Sequence, residues 1–286
     1  MSFSSDIKQE LNKNSNLSNK EIVKNELIGY FISGNTNIVN SREIKFSTES
    51  DYNINRFSKL LSNLNINHKI DISGKSFVIT VKIKDINFIP MQNKQIYLPV
   101  EKDLKEENLK AIIRGTFMGS GSVNNPEKEY HLEVDLSNEK NLEEMVKILQ
   151  RLGIRIKTFQ FSIYMKEGEE ISKFLALIGA NKAVMQFEDI RIQKEMRGKV
   201  NRLVNCETAN LNKTINASIQ QIAAIKKLQE TGKFKKLDDK LKEIAILRLE
   251  NPDMPLIELG KLLKEPVGKS GVNYRLKKIM EIADEE

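Results

Sequence analysis

The densest set of chemically capable side chains lies near the C-terminal end. Between positions 261 and 278 stand Lys261, Lys264, Lys269, Arg275, Lys277 and Lys278 against one acid, Glu265, with Ser270, Asn273 and Tyr274 interleaved. Lys, Arg, Ser and Tyr can contact phosphate oxygens, while Asn and Lys can match the edges of adenine and guanine in a major groove. This is chemistry for gripping double-stranded DNA. Asn273 and Lys277 are the candidate base readers; Lys261, Lys269, Ser270, Tyr274, Arg275 and Lys278 are candidate backbone contacts. A small helical bundle with a solvated basic face would carry the same charges, so the elements that present them decide between the two.

Other chemistries find little support. Cys206 is the single cysteine, and His68 and His131 are the two histidines. Neither an internal disulfide nor a Cys/His zinc cluster is therefore expected, and no metal or cofactor. Cys206 reads as a small packed residue at a helix start, with Asn205 as the N-cap. Gly268-Lys269-Ser270 looks like the end of a nucleotide-binding loop, but that loop needs a glycine five residues earlier, where Leu263 stands. ATP and GTP are excluded on that ground. A formal net charge of +7 agrees with a polyanionic partner. The N-terminus lacks a basic segment followed by an apolar run, and no stretch approaches the roughly 20 apolar residues of a membrane span. A soluble cytoplasmic protein is expected, with no membrane partner and no small-molecule substrate.

The basic residues fall on the last of three short helices, expected near 238–250, 255–263 and 270–284. Asn251-Pro252 and Glu265-Pro266-Val267-Gly268 separate them. With Ser270 as N-cap, Val272, Leu276, Ile279 and Ala283 share one face, which should seat on Leu256, Leu259 and Leu262. Asn273, Tyr274, Lys277 and Lys278 point the other way, with Arg275 on the flank. Helix, short helix, turn, helix is the helix-turn-helix order.

Upstream, the chain repeats itself. Ile54, Phe57, Leu60, Leu61 and Leu64 step by three, three, one and three, and so do Leu142, Met145, Ile148, Leu149 and Leu152. That is the spacing of one helix face. Before each stripe lies a second match, Leu27-Ile28-Gly29-Tyr30-Phe31 and Ile113-Arg114-Gly115-Thr116-Phe117; after each comes Asn65-Ile66 or Gly153-Ile154. Each copy reads helix, strand pair, striped helix, strand pair. Two such copies imply a pseudo-twofold axis within an α+β domain. The domain should span 1–190, with repeats of about 1–97 and 98–190 joined by a connector at 85–104. A linker at 191–204 and an all-helical domain at 205–286 follow, with the helix-turn-helix at about 255–284.

The duplicated half resembles the LAGLIDADG homing endonucleases, an αββαββ(α) fold in which paired signature helices each end in a metal-binding acid. That resemblance places the signatures at Leu27–Asn35 and Ile113–Gly121, and the catalytic positions at Gly34 and Ser120. Neither residue is an anionic ligand for Mg²⁺, and Glu26 lies roughly 12 Å back along the helix. The nuclease chemistry is therefore expected to be lost. In the strand around 129–136, Tyr130, Leu132, Val134 and Leu136 should face the helices and Glu129, His131, Glu133 and Asp135 the solvent. In the first copy Glu43, Lys45, Ser47 and Glu49 alternate outward. An acidic outer face repels phosphates, so this half is expected to serve as a scaffold or docking surface.

Joined to the C-terminal helices, the whole chain resembles the WhiA family of bacterial regulators. The resemblance rests on Asn201-Arg202-Leu203-Val204-Asn205-Cys206-Glu207-Thr208-Ala209-Asn210 with Lys213-Thr214, on Arg114-Gly115-Thr116-Phe117 with Gly121-Ser122-Val123-Asn124, and on Lys269 through Leu276. It implies a non-enzymatic, nucleoid-associated DNA-binding regulator of cell division and chromosome segregation, with transcriptional control of sporulation in sporulating organisms and a protein partner in transcription or division. The alternatives are an interaction scaffold with weakly specific DNA binding and a residual metal-dependent nuclease. If the basic helix carries the grip, residues 1–190 alone bind DNA markedly more weakly than the full chain in a mobility-shift titration. Equal affinity would place the grip on the sheets.

Overall fold

The stripes become helices because apolar residues at those steps line one side of a 3.6-residue turn and are withdrawn from water together. In the computed structural model, which describes residues 2–13, 17–40, 42–99 and 104–285, they lie on α3 (Asp51–Asn63) and α5 (Glu139–Arg151). Ile54, Phe57, Leu60 and Leu61 of the first and Leu142, Met145 and Leu149 of the second are buried. Both helices stop the same way. Asn65 and Gly153 take left-handed backbones with φ of 57° and 74°. The next residues, Ile66 and Ile154, donate back to Leu61 and Leu149 at 2.9 and 3.0 Å, a closed C-terminal turn in both copies.

The copies share a topology. The first runs α1 (Phe3–Lys13), α2 (Lys20–Ile32), β1 (Thr36–Val39), β2 (Glu43–Thr48), α3, β3 (His68–Ser73) and β4 (Ser76–Lys82). A short hairpin of β5 (Met91–Gln92) and β6 (Gln95–Ile96) occupies the connector, whose residues 100–103 lie outside the described residues. The second runs α4 (Glu106–Ser120), β7 (Ser122–Val123), β8 (Leu132–Asp135), α5, β9 (Lys157–Phe159), β10 (Ser162–Met165) and α6 (Gly168–Ile178). The sheets are antiparallel, ordered β1-β2-β4-β3 and β7-β8-β10-β9. Ile44, Phe46, Ile79 and Val81 of one and Leu132, Val134, Ile163 and Met165 of the other are buried in a common core with the helices. The α+β expectation is met; α1 and β7 had no counterpart in the sequence reading.

Helices α2 and α4 meet backbone to backbone. A Cβ on Gly29 would stand 2.1 Å from the Ile112 carbonyl oxygen, and one on Gly115 would stand 1.9 Å from that of Glu26. Only glycine permits this approach. Beside it the Glu26 carboxylate, 1% exposed, accepts from Arg56 at 2.8 and 2.9 Å and from Arg114 at 3.1 Å. Burial pulls Arg56 down, but the hydrogen bond and charge of Glu26 outweigh it and raise its pKa.

The chain divides into two units between Glu195 and Met196. One helix, α7 (Asn181–Glu230), runs through the division. Its first N–H groups, at Lys182 and Ala183, are received by the Glu10 carboxylate at 2.8 and 3.0 Å. Residues 191–204, read as a linker, are helical throughout. Asn205 therefore caps nothing, and Cys206 is exposed in mid-helix rather than packed at a helix start. No proline or left-handed residue interrupts 181–230, so nothing forces a helix to begin there. The second unit adds α8 (Asp239–Glu250), α9 (Leu256–Lys261) and α10 (Lys269–Asp284) around Ile225, Leu241, Ile244, Leu259, Val272, Leu276 and Ile279. Gly115→Ala is expected to destabilise the first unit by about 1–3 kcal/mol, read as a lowered thermal midpoint. An unchanged midpoint would show that the helix pair can separate freely.

Candidate nucleic-acid interface

Helix α10 is held by its back. Val272, Leu276 and Ile279 are fully buried and Ala283 nearly so. They join Leu241, Ile244 and Ala245 of α8 and Leu259 and Leu263. Leu262, expected in this contact, is half exposed, and Leu263 replaces it. The reason is that α9 ends at Lys261, so the helical register stops short of the spacing read from the sequence. The turn is drawn tight at Gly260. Its carbonyl accepts from Val267 N–H at 3.1 Å, and a Cβ there would stand 2.2 Å from the Val267 carbonyl oxygen. The cap also differs from expectation: it is Gly268, and Ser270 is the second residue of the helix.

This seating leaves Lys269, Ser270, Asn273, Tyr274, Lys277 and Lys278 exposed at spacings of three and four, which put them on one face. Lys261, Lys269 and Lys278 have no acidic partner among the described residues. Lys277 approaches Glu281 at 3.7 Å, an exposed pair of little energetic weight. Arg275 turns to the flank, near Glu265, whose carboxyl is held below its ordinary pKa by Lys240 and, more weakly, by Arg275. Lys261 stands across the turn, at the end of α9. The structure thus gathers six of the eight expected residues on one helix face and sets Lys261 and Arg275 apart.

Sequence reasoning passed over Arg248. It is 1% exposed, and its Nη1 donates to the carbonyls of Asn251, Pro252 and Met254 at 3.4, 3.2 and 2.9 Å. One guanidinium thereby ties the turn from α8 to α9. The available signal was an Arg in register with Leu241, Ile244 and Ala245.

In the duplicated half, the two signature helices end against β8. Gly34 N–H donates to the Asp135 carbonyl at 2.9 Å, and a Cβ on Gly34 would stand 2.8 Å from that of Asp135. Ser120 Oγ donates to the same carbonyl at 2.6 Å. The Asp135 carboxylate itself accepts from Ser162 Oγ at 2.5 Å. Glu26 is taken by its two arginines. On the outer face of the second sheet, Glu133 and Asp135 stand in register with Tyr164 and Ser162, then with Lys157 and Phe159. The first sheet is less acidic than its single strand suggested, because Lys82 pairs with Glu43, and Lys69 joins Lys45 across Thr80.

The same two-part architecture occurs in known proteins. A family profile for the WhiA C-terminal HTH domain matches residues 200–283, and one for the WhiA LAGLIDADG-like domain matches 109–197. A protein of Clostridium novyi named "Probable cell division protein WhiA" is 38% identical over 312 aligned positions, covering 100% of this chain and 98% of its own. The chain belongs to the WhiA family. The crystal structure of full-length WhiA from Thermatoga maritima is 29% identical with a TM-score of 0.64, covering 99% of this chain and 98% of that one. The N-terminal LAGLIDADG domain of WhiA, 26% identical with a TM-score of 0.52, covers 62% of this chain and 90% of its own.

The WhiA-typical segments now have places. Arg114 and Gly115 build the α2–α4 contact, and Phe117 is buried beneath it. Asn201–Asn210 is exposed on α7. Lys269–Leu276 opens α10. Since the basic face exists only while its back is seated, Leu276→Ala is expected to cost about 2–5 kcal/mol in the second unit. Lys278→Ala should leave the thermal midpoint unchanged, and an equal loss in both would contradict this division of labour.

Proposed function

We propose that this WhiA protein is a DNA-binding regulator acting in cell division, with α10 as its recognition helix. The observation that carries the reading is a helix with a fully buried apolar back and an exposed face of Lys269, Ser270, Asn273, Tyr274, Lys277 and Lys278. Asn273 and Lys277 read bases; Lys261, Lys269, Ser270, Tyr274, Arg275 and Lys278 position the phosphates. The cell-division role follows the name of the clostridial relative. Chromosome segregation, and control of sporulation where the organism sporulates, extend it along the family resemblance.

Residues 205–286 are the DNA-binding part and residues 1–190 a scaffold that no longer cuts. Three features support the second point. Gly34 and Ser120 offer no carboxylate, Glu26 is saturated by Arg56 and Arg114, and the end of β8 is hydrogen-bonded against both former catalytic positions. Two-metal cleavage of a phosphodiester needs acids at that place. The Glu133 and Asp135 side of the second sheet favours a protein partner there over a phosphate backbone.

Lys261→Ala and Lys278→Ala are each expected to lower the slope of log affinity against log salt by about 0.9, the value for one released phosphate contact on duplex DNA. The full chain is expected to leave plasmid DNA intact in Mg²⁺. Unchanged slopes would remove these lysines from the interface, and cleavage would end the scaffold reading.

A further inference from the structure

In the second unit a cavity of about 240 Å³ opens between α7, the end of α8 and the first turns of α9 and α10. Its walls carry Lys213 and Gln221 from α7, Arg248 from α8, and Lys269 and Asn273 from α10. Two of these side chains are deeply buried, Gln221 at 5% exposure and Arg248 at 1%. Each keeps a polar atom without a partner, Gln221 Oε1 and Arg248 Nε. Buried polar groups are nearly always satisfied, so an idle donor and an idle acceptor lining one cavity call for a polar occupant, water or ligand.

Arg248 indicates the charge of the occupant. Its Nη1 is spent on three carbonyls, but no carboxylate pairs with it among the described residues. Burial alone pulls its guanidinium below the ordinary arginine pKa. A buried cation without a counter-ion is costly, and an anion in the cavity would supply one. Helix α10 adds to this field. Its cap is Gly268, which has no side chain to receive the first N–H groups, so these and the positive end of the helix dipole remain open. Lys213 and Lys269 contribute two exposed ammonium groups, neither paired with an acid among the described residues. Turning over the Gln221 amide exchanges its idle oxygen for an N–H donor. Thr214 takes no part, since its hydroxyl donates to the Asn210 carbonyl at 3.0 Å.

We propose that this cavity is a phosphate site, in which Lys213 of α7 and Lys269 with the N-terminus of α10 hold the phosphate oxygens while Arg248 and Gln221 back them. The shared chemistry is a tetrahedral phosphorus oxyanion, whether on a duplex backbone or on a free phosphate. The duplex form rests on the DNA-binding reading above. Lys213, part of the WhiA-typical segment, then makes α7 a second wall of the interface, one that α10 alone does not provide.

The test compares the full-length wild type with Lys213→Gln, an exposed and helix-compatible change that spares the fold. Lys278→Ala serves as the reference, and a second variant, Arg248→Met, removes the buried cation. Two quantities are read: the salt slope for binding an AT-rich duplex, and the thermal midpoint with and without inorganic phosphate. A slope lowered by about 0.9 in both Lys213→Gln and Lys278→Ala supports a duplex phosphate in the cavity. A midpoint that phosphate raises in the wild type and not in Lys213→Gln, with the duplex slope unmoved, supports the same site for a free phosphate. Loss of the phosphate response in a folded Arg248→Met places the buried cation in the site. If Lys278→Ala lowers the slope and Lys213→Gln changes neither quantity, the phosphate site is overturned and the recognition helix stands. If neither variant moves the slope, the DNA-binding reading itself fails.

Discussion

The duplicated unit depends on one contact, the meeting of α2 and α4 with no side chain between them. Gly29 and Gly115 remove the atoms that would hold the helices apart. Glu26 then ties Arg56 of α3 and Arg114 of α4 to α2. Such a buried ionic triad is weak evidence for stability in itself, since desolvation offsets much of the attraction. Its role in the structure is geometric: one carboxylate of α2 holds a guanidinium from each of α3 and α4. Each sheet then covers its own copy of the same helix arrangement, and the order β1-β2-β4-β3 recurs as β7-β8-β10-β9.

In the second unit the organising constraint is apolar. The buried face of α10 fixes which residues are left outside, so the chemistry of the basic face is a by-product of where Val272, Leu276 and Ile279 go. Gly260 and Arg248 set the approach of α9 and α8 to that helix, one by having no side chain and the other by binding three carbonyls. A buried arginine is an unusual way to make a turn, and it leaves positive charge behind the exposed one.

Much of this was legible from residue order. Helical stripes, and the Asn65-Ile66 and Gly153-Ile154 pairs that follow them, are local patterns, and local patterns survive in a sequence. The apolar back of α10 was readable for the same reason. Caps and ends were less so. Ser270 carries the side chain of a good cap, yet the turn closing on Gly260 sets where α10 starts, and that is a tertiary contact. The continuation of one helix through 191–204 was missed because a polar run lacking proline has no marker distinguishing linker from solvated helix. The mixed charge of the first outer sheet could not be read from β2 alone, since Lys69 and Lys82 arrive from other strands. Arg248 and Gln221 were invisible as a pair because α7 and α8 bring them together.

The end of β8 couples the residues packed around it. Position 34 has room for no Cβ while Asp135 stays where it is. A carboxylate cannot be placed there by one substitution, because the strand end would have to move first, and that end is also hydrogen-bonded to Ser120 and Gly34. Each of the three residues therefore limits what the other two can become. An acid at position 34 calls for a second change that moves the strand end, so the sequence choices at this corner are coupled.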